Sequence, residues 1–293
     1  MSEVEIFSPA KVNLFLAVTG RREDGFHVLS SLVSQLSFGD RVRVARAGRV
    51  GGIELSCSEP SVPSDERNLA YKGADLFRNY YEISEGVRVF IEKRIPPGAG
   101  LGGGSGNASV TLRAMGNLFG EQDEEVLARL AGEIGSDCPL FLGTKPCFMR
   151  GRGEVIDRLP DELSFSLAGH RLALFKPSFS APTVWAYRTL AADKENYSEN
   201  GWAESRLSEW STGDLALKEL LFNSFEKVVF RKFPALTLLK ERLEAELGLK
   251  MLLSGSGSAC FVLLDEEETP EVKAIVREAL GEEAFFEVAT LVE

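Results

Sequence analysis

The chain has 293 residues, of which 44% are apolar, and a net charge of −11 at pH 7. This length fits one large or two ordinary domains, and the apolar fraction is enough for full cores. The acidic balance argues against a nucleic-acid-binding or anionic-membrane-binding surface, where clustered basic residues are expected. Because no apolar run reaches about 18 residues, we expect no transmembrane helix and a cytoplasmic protein.

The cysteines and histidines argue against a zinc site. The four cysteines are far apart in the chain, no C-x-x-C pair occurs, and only two histidines are present. Scattered cysteines in a chain of this size predict reduced, mostly buried thiols.

The first half of the chain is predicted to be a strand-rich segment followed by helices. Strands are predicted at 12–18, 27–37, 41–44 and 87–92, with a turn at Gly39-Asp40. Helices are predicted from Asn68 to Tyr81, capped by Ser64 or Asp65, and near 107–119 and 123–134, with a stop at Gly120. A strand pair at about 146–159 precedes Pro160, where we place the boundary between domains of residues 1–160 and 161–293.

The second half has its own succession of elements. Strands are predicted at 171–175, 250–253, 259–264 and 285–291, and helices at 183–190, 223–232, 236–247 and 271–280. The polar and poorly periodic segment 193–213 indicates an exposed insertion or a lid. Strands before and after helices predict an α+β fold with a ferredoxin-like layer.

A glycine-rich loop between the predicted strand at 87–92 and the following helix is the strongest functional signal. Glycine allows a phosphate to approach the backbone without a Cβ in the way, and a helix N-terminus adds unpaired N–H donors. The sequence therefore predicts a phosphate cradle here. Its residues are Pro96, Pro97, Gly98, Ala99, Gly100, Leu101, Gly102, Gly103, Gly104, Ser105 and Gly106.

Two common glycine motifs fit this loop poorly. Gly98, Gly100 and Gly103 satisfy the dinucleotide pattern G-x-G-x-x-G, with Asp123 about 20 positions on. However, the strand before such a turn is usually the first of its domain, and more helix follows where a strand is expected. The P-loop pattern fails because no Gly-Lys-Ser or Gly-Lys-Thr closes the loop. An unliganded surface turn is the remaining alternative.

Four smaller clusters carry side chains or turns suited to binding or catalysis, and each has a plain structural alternative. Lys11 and Asn13, two apart on a strand, face the same way, although an edge lysine often just reaches water. Asp137 lies in the turn Gly-Ser-Asp-Cys-Pro, where an aspartate can cap a short helix. Phe26 and His27 end a turn, and such a histidine is more often structural. The small-residue turn Ser254–Ser258 is either a hairpin loop or a backbone wall against a ligand.

Together these motifs resemble those of the GHMP small-molecule kinases. Residues 96–108 are similar to the family's phosphate-binding motif, Pro9–Asn13 to its N-terminal motif, and Leu253–Ala259 to its C-terminal glycine motif, in the same order along the whole chain. The resemblance implies an α+β fold with a ribosomal-protein-S5-domain-2-like N-terminal domain and a ferredoxin-like C-terminal domain. It also implies an active site in the cleft between the two domains.

The resemblance further implies an ATP-dependent phosphotransferase with an alcohol acceptor. Asp137 would accept or orient the hydroxyl proton, and Lys11 would keep that carboxylate ionised and offset charge on the transferred phosphoryl group. The glycine loop and Mg²⁺ would position the ATP phosphates, with Ser105 as a metal contact. Asn68 and Lys93 match positions near the adenine.

Within the family, the motif around Lys11 and the segment Thr19–His27 resemble members that act on diphosphocytidyl-methylerythritol in the non-mevalonate isoprenoid pathway. This implies transfer of phosphate to the 2-hydroxyl group. Phe26 and Tyr187 would stack on the cytosine, His27 would bind its edge, and Asn13 would fix the orientation of the imidazole. The C-terminal loop residues Gly255, Ser256 and Gly257 would also line the substrate site. Many relatives have serine where this chain has Gly106, so a side-chain contact to phosphate is absent there.

Other functions leave different residues without a role. A homoserine or mevalonate kinase of the same family would keep Lys11, Asp137 and both glycine loops but would not need Phe26 and His27. An NAD-dependent oxidoreductase gives no role to Lys11 or Asp137, and a non-catalytic binding module needs no base. We expect small-molecule partners only and a monomer or weak homodimer.

Overall fold

The computed structural model describes residues 2–48 and 51–293, and the chain forms two compact units. The first unit comprises Met1–Ala10, Phe38–Pro97 and Gly102–Thr144; the second comprises Lys11–Ser37, Gly98–Leu101 and Lys145–Glu293. These units are interleaved along the chain, whereas the domains predicted from sequence are consecutive segments, and the boundary near residue 160 stays a prediction. None of the helices in the described ranges is both long and apolar enough to span a bilayer.

Strands and helices occur in groups along the chain, as in an α+β fold. The strands are β1 (Glu3–Arg21), β2 (His27–Arg46), β3 (Ile53–Cys57), β4 (Val87–Glu92), β5 (Cys147–Arg150), β6 (Val155–Arg158), β7 (Arg171–Lys176), β8 (Phe222–Asn223), β9 (Met251–Leu253), β10 (Cys260–Leu263) and β11 (Phe285–Thr290). The helices are α1 (Leu69–Tyr80), α2 (Gly103–Phe119), α3 (Glu124–Ile134), α4 (Asp161–Leu167), α5 (Thr183–Ala191), α6 (Asn200–Thr212), α7 (Leu217–Leu220), α8 (Glu226–Lys232), α9 (Pro234–Leu247) and α10 (Thr269–Leu280). Short 3-10 helices span Cys138–Leu142 and Lys194–Asn196.

In the first unit, three helices cover a sheet formed by β3, β4 and the end of β2. β2 pairs with β4 in antiparallel register from Arg41 opposite Glu92, and β4 pairs with β3 in parallel. The alternating buried residues of β4, Val87, Val89 and Ile91, join the core with apolar side chains of α1, α2 and α3. This period-2 burial explains why the sequence predicted β4 with its observed bounds.

In the second unit, a four-stranded antiparallel sheet has the order β11-β7-β10-β9. β7 is followed by helices, then the β9–β10 hairpin, α10 and β11, which is the β-α-β-β-α-β succession of the ferredoxin-like fold. The predicted ferredoxin-like layer is therefore confirmed. In the same unit the end of β1 pairs in parallel with β8, and the start of β2 pairs with the β5–β6 hairpin.

Three local predictions were wrong, each because a polar or glycine residue has a tertiary role. Gly39-Asp40 is not a turn but lies inside the continuous strand β2. The cap of α1 is Asn68 itself, whose side chain accepts a hydrogen bond from the Ala70 N–H, rather than Ser64 or Asp65. The predicted helix at 223–232 begins only at Glu226, because Asn223 belongs to β8.

Gly39 is required by close packing in the first unit. A Cβ at this position would lie 2.3 Å from the Ser8 carbonyl oxygen and 2.8 Å from the Phe7 ring. Glycine therefore allows β2 to approach β1 without breaking the strand.

We expect Gly39→Ala to lower the free energy of unfolding by about 1–3 kcal/mol, because the methyl group overlaps backbone that has no room to move. The matched control is Gly132→Ala in α3, where a Cβ would meet nothing within 4 Å. That change should raise stability by about 0.5–1 kcal/mol, since alanine favours helix. Urea unfolding of both variants measures the difference, and equal stability of Gly39→Ala and the unmodified protein would contradict the packing argument.

Candidate active site

In the first unit, α2 begins at the end of the glycine loop and presents free backbone donors. Its N-cap, Gly102, has φ 74° and no side-chain capping bond, and the first intrahelical bond of this turn runs from the Gly106 N–H to the Gly102 carbonyl. The N–H groups of the residues from Gly103 to Ser105 have no acceptor within the helix. These donors and the positive end of the helix dipole suit a phosphate group.

Asp137 is connected to this first turn of α2 through its neighbour Cys138. Ser109 Oγ of α2 donates to the Cys138 carbonyl at 2.6 Å, and the Ser105 side chain bonds the Cys138 thiol. Burial raises the pKa of Cys138 to about 11, with the Ser105 hydrogen bond acting in the opposite direction. Cys138 is therefore a packed structural thiol, and it fixes the turn that carries Asp137.

The Asp137 side chain is not used for helix capping. Asp137 occupies the N-cap position of the 3-10 helix Cys138–Leu142, and a proline lies in its first turn as predicted. Yet the carboxylate makes no capping hydrogen bond, and the residue is only half-buried. The structural alternative for Asp137 is therefore wrong, and the carboxylate is suited to act on a bound molecule.

Lys93 lies at the same helix start and is held by Asp40, which the sequence had placed in a turn. Asp40 is fully buried, and its carboxylate accepts hydrogen bonds from the Lys93 Nζ at 2.5 Å and from the N–H groups of Arg94 and Ile95. A Cβ on Gly103 would lie 2.8 Å from Lys93 Nζ. Lys93 thus adds a cation to the donors of α2, while Asp40 compensates its charge.

Two further residues of this unit, Asn68 and Gly106, bear on nucleotide contacts that the sequence predicted. Asn68 uses its amide to cap α1 and to donate to the Pro63 carbonyl at 2.7 Å, so its adenine contact stays a prediction. Gly106 has no room for a side chain, since a Cβ would lie 2.9 Å from the buried Ser8 Oγ.

In the second unit, three motifs far apart in sequence are joined by backbone contacts. The Lys11 N–H donates to the Leu101 carbonyl and the Ala259 N–H to the Ala99 carbonyl, both at 3.0 Å. Ser254 Oγ donates to the Gly100 carbonyl at 3.1 Å. The N-terminal motif, the glycine loop and the C-terminal glycine turn therefore form one structure.

At Gly100 the backbone of the glycine loop approaches the backbone of the C-terminal turn most closely. Its φ is 79°, and a Cβ would lie 2.2 Å from the Ser254 carbonyl oxygen. Asn223 fixes the opposite side of the C-terminal turn, because its amide nitrogen donates to the carbonyls of Leu253 and Gly255 at 2.7 and 2.8 Å. This bonding keeps Asn223 in β8 and outside α8.

Lys11 and Asn13 lie on one face of β1, as the strand alternation predicts. Lys11 is only 6% exposed, so the alternative of a lysine that reaches water is wrong. Its Nζ donates to Asn13 Oδ1 at 2.6 Å, and Asn13 Nδ2 donates to Ser31 Oγ at 2.8 Å. A Cβ on Gly255 would lie 3.1 Å from Lys11 Nζ, so the ammonium lies against the C-terminal turn. Asn13 bonds Lys11 and Ser31 rather than His27.

His27, Phe26 and Tyr187 lie together in the second unit. The His27 and Tyr187 ring centroids are 4.8 Å apart, and the His27 Nε2 atom is buried without a hydrogen-bond partner among the described residues. Burial lowers the pKa of His27, as does Arg21, so the imidazole is neutral at pH 7. Phe26 is 52% exposed, with the Arg152 guanidinium 4.9 Å from its ring centroid. The ring centroid of a second tyrosine, Tyr197, lies 6.1 Å from that of His27.

The C-terminal turn also connects to the helix that carries Tyr187. Thr183 Oγ1 at the start of α5 and Ser256 Oγ lie 2.9 Å apart. Tyr187 packs edge-on against Phe225, which follows the Asn223 anchor, with 4.7 Å between ring centroids. The turn is thus a hairpin loop whose backbone and hydroxyls support the aromatic residues around His27.

Some residues of the site were not found from sequence. Asp40 and Asn223 look like turn and helix-start residues locally, and only their tertiary hydrogen bonds reveal what they hold. The ring contact of Tyr197 with His27 carried no signal, because its segment is polar and aperiodic. In the described ranges no three His, Cys, Asp or Glu side chains lie together as a metal site.

The dinucleotide interpretation of the glycine loop is wrong. β4, which precedes the loop, is antiparallel to β2, and α2 is followed by α3 rather than by a parallel strand. A dinucleotide site requires a β-α-β unit at this position.

Comparisons with known proteins agree with this geometry. The family models for the GHMP kinases N terminal domain and the GHMP kinases C terminal match residues 68–143 and 211–282. The chain is 38% identical over 284 residues to the 4-diphosphocytidyl-2-C-methyl-D-erythritol kinase of Desulfitobacterium hafniense, which covers 94% of this chain and 93% of that relative. A protein of the same name from Methylacidiphilum infernorum is 34% identical over 279 residues, covering 94% of this chain and 91% of that relative.

Solved structures give the same result. A crystal structure of a 4-(cytidine 5'-diphospho)-2C-methyl-D-erythritol kinase matches with a TM-score of 0.78 and 35% identity, over 98% of this chain and 99% of that chain. A homoserine kinase from Cytophaga hutchinsonii matches with a TM-score of 0.72 at 17% identity, over 100% of this chain and 95% of that chain. The second match shows a shared fold alone.

Gly100→Ala and Gly98→Ala form a matched pair that tests the close backbone contact. Both positions have positive φ, so each alanine costs about 1–2 kcal/mol of backbone strain. Only Gly100 meets backbone, whereas a Cβ on Gly98 would lie 3.5 Å from Ser180 Oγ. We expect Gly100→Ala to lose about 1–3 kcal/mol more in denaturant unfolding. Equal losses would mean that the Ser254 contact is not tight.

Asp40→Asn tests the anchor of Lys93. The change keeps the shape but removes the charge, which leaves a buried ammonium beside the positive end of α2, and we expect a loss of about 3–5 kcal/mol. Asp65→Asn is the control, because its pair with Arg67 is exposed and screened, and it should leave stability nearly unchanged. Thermal unfolding without ATP measures both, and a stable Asp40→Asn protein would refute this anchoring role.

Proposed function

The chain belongs to the family of 4-diphosphocytidyl-2-C-methyl-D-erythritol kinases within the GHMP kinases, and we propose that the residues described above carry out that family's phosphoryl transfer. The protein is an ATP-dependent phosphotransferase that acts on 4-diphosphocytidyl-2-C-methyl-D-erythritol, an intermediate of isoprenoid precursor synthesis. Transfer of the γ-phosphoryl group to the 2-hydroxyl forms the bond from that oxygen to phosphorus. The bond from phosphorus to the β-bridging oxygen breaks, and ADP leaves.

The observation that carries this proposal is the buried Nε2 of His27, which has no hydrogen-bond partner in the part of the chain that the structure describes. A buried ring nitrogen without a partner is costly unless a ligand supplies one. Tyr187 and Phe26 beside it offer aromatic faces, and together they suit a planar base with hydrogen-bonding edges, such as cytosine. A kinase for a small alcohol such as homoserine or mevalonate has no use for this arrangement.

We assign the catalytic roles as follows. Asp137, whose carboxylate is free of capping bonds, accepts the proton of the 2-hydroxyl group. Lys11 offsets negative charge on the transferred phosphoryl group, and the backbone donors at the start of α2 hold the ATP phosphates. The protein contributes position and electrostatics, because phosphoryl transfer leaves it little covalent work.

The nucleotide and metal contacts belong to the same proposal. Lys93 fits a phosphate role because its ammonium lies against the first residue of α2, and the adenine contact of Asn68 is proposed from the motif alone. Gly255, Ser256 and Gly257 line the substrate side near Lys11. Among the described residues no three His, Cys, Asp or Glu side chains lie together as a metal site. We propose that ATP phosphates and water would hold Mg²⁺, with Ser105 as a side-chain contact, and that the ion would neutralise phosphate charge.

We also propose the cellular compartment and the oligomeric state of the enzyme. All four cysteines are free thiols, which suits a reducing compartment such as the cytoplasm. We propose that the enzyme acts as a monomer or weak homodimer.

The test is ADP release with Mg²⁺-ATP and, in turn, the diphosphocytidyl substrate, mevalonate, homoserine and galactose. We expect turnover on the cytidyl substrate alone and a loss of about 10²–10⁴-fold in kcat for Asp137→Asn. Asp123→Asn, the same change at the N-cap of α3, is the matched control and should keep full activity, because asparagine caps as well as aspartate. Turnover on another alcohol would reject the substrate, and an active Asp137→Asn protein would reject the base.

A further inference from the structure

Residues 193–198 are fixed to the body of the second unit. Asn196 is buried, and its amide donates to the Leu190 carbonyl at the end of α5 at 3.2 Å. The Ser198 N–H donates to the Val18 carbonyl of β1 at 2.9 Å, and Lys227 Nζ of α8 donates to the Glu195 carbonyl at 3.2 Å. Tyr197 therefore lies between two anchored residues, and its ring has a defined place.

Helix α6 continues this fixed structure. Glu204 accepts a hydrogen bond from Ser30 Oγ of β2 at 2.6 Å and pairs with Arg150 of β5 at 3.0 Å. The Trp202 ring packs edge-on against Phe222, with centroids 4.9 Å apart. The sequence left two alternatives for 193–213, an exposed insertion or a lid. The structure shows that this segment is bonded to β1, β2 and β5.

His27 contacts tyrosine rings from two different elements. Tyr187 comes from α5 at 4.8 Å and 37°, and Tyr197 comes from the residue after the second 3-10 helix at 6.1 Å and 47°. Among the described residues, Arg21 of β1 is the one charged group that shifts the pKa of the imidazole, and it lowers it. His27 begins β2 next to a loop, so its own backbone restrains the ring little, and the two tyrosines are its lateral supports.

We propose that Tyr197 is a positioning residue that fixes the ring plane of His27 and excludes water from it, so that Nε2 points to the base edge of a pyrimidine nucleotide. The identity of the ligand rests on the proposed function, whereas the support of His27 by Tyr197 does not. The ring of Tyr197 supplies this support through packing, so its hydroxyl group is not required.

The chain's histidine content provides a direct readout. Only two histidines are present, so ring NMR signals of the free protein report His27 and His170, and His170→Gln assigns them. In the unmodified protein burial keeps the His27 pKa low. Tyr197→Ala admits water to the ring, which favours the charged form, and we expect the pKa of His27 to rise by about one unit. His27 would then be protonated at a higher pH than in the unmodified protein.

Three variants make the titration decisive. Tyr197→Phe should titrate like the unmodified protein, because the ring is kept. Tyr80→Ala, the same truncation in α1 of the first unit, should also leave the His27 titration unchanged. If Tyr197→Ala stays folded by circular dichroism and its His27 pKa does not move, the positioning role is overturned. If it fails to fold, Tyr197→Leu takes its place with the same two expected outcomes.

Kinetics distinguish this proposal from the proposed function. Tyr197→Ala should raise KM for the diphosphocytidyl substrate by about three- to ten-fold and leave kcat and KM for ATP unchanged, and Tyr197→Phe should restore KM. A shifted titration together with activity on a different alcohol would retain the positioning role and reject the substrate. An unshifted titration would reject Tyr197 whichever substrate is used. A loss of kcat with KM unchanged would also reject it.

Discussion

The second unit depends on one close contact, the approach of the glycine-loop backbone at Gly100 to the C-terminal turn at Ser254. A Cβ on Gly100 would overlap the Ser254 carbonyl oxygen, so no side chain fits at this point. The Gly100 carbonyl in turn accepts a hydrogen bond from Ser254 Oγ. Because Lys11 bonds the next loop residue and Gly255 lies against the Lys11 ammonium, the contact also sets where this cation lies. Three motifs separated by about 90 and 150 residues become one structure through backbone hydrogen bonds and the Ser254 hydroxyl, and the close approach explains why the two glycine motifs are rich in small residues.

Buried polar groups then fix what the backbone contact leaves free. Asp40 holds Lys93 and two N–H groups at the entrance to the glycine loop by hydrogen bonds. Asn223 does the same for two carbonyls of the C-terminal turn. Each is buried, so loss of one partner leaves the others unpaired in a medium of low dielectric. Under the proposed function, these residues act on the chemistry indirectly, by holding the groups assigned to phosphate and base.

Sequence predicts the parts of this fold that rest on local rules. The alternation in β4, the helical period of α1 and the stop at Gly120 have local causes, and the structure follows them. Gly39 was predicted in a turn because glycine favours turns, and Asn223 at a helix start because asparagine favours the ends of helices, unless a tertiary partner decides otherwise. The place of Tyr197 depends on hydrogen bonds to β1 and α5, which no period in the segment encodes. For the same reason the motif residues were found and their anchors were not.

Under the proposed function, both units contribute to phosphoryl transfer, whereas the residues for the base come from the second unit alone. The first unit would supply the helix donors, Lys93 and Asp137, and the second would add Lys11. The second unit supplies Phe26, His27, Tyr187 and the ring of Tyr197, which only a base-bearing substrate can use. A homoserine kinase shares the fold at 17% identity, so the fold alone does not determine the substrate. In the proposed function, substrate specificity therefore rests on a few aromatic residues of the second unit, carried by a fold that does not itself determine the substrate.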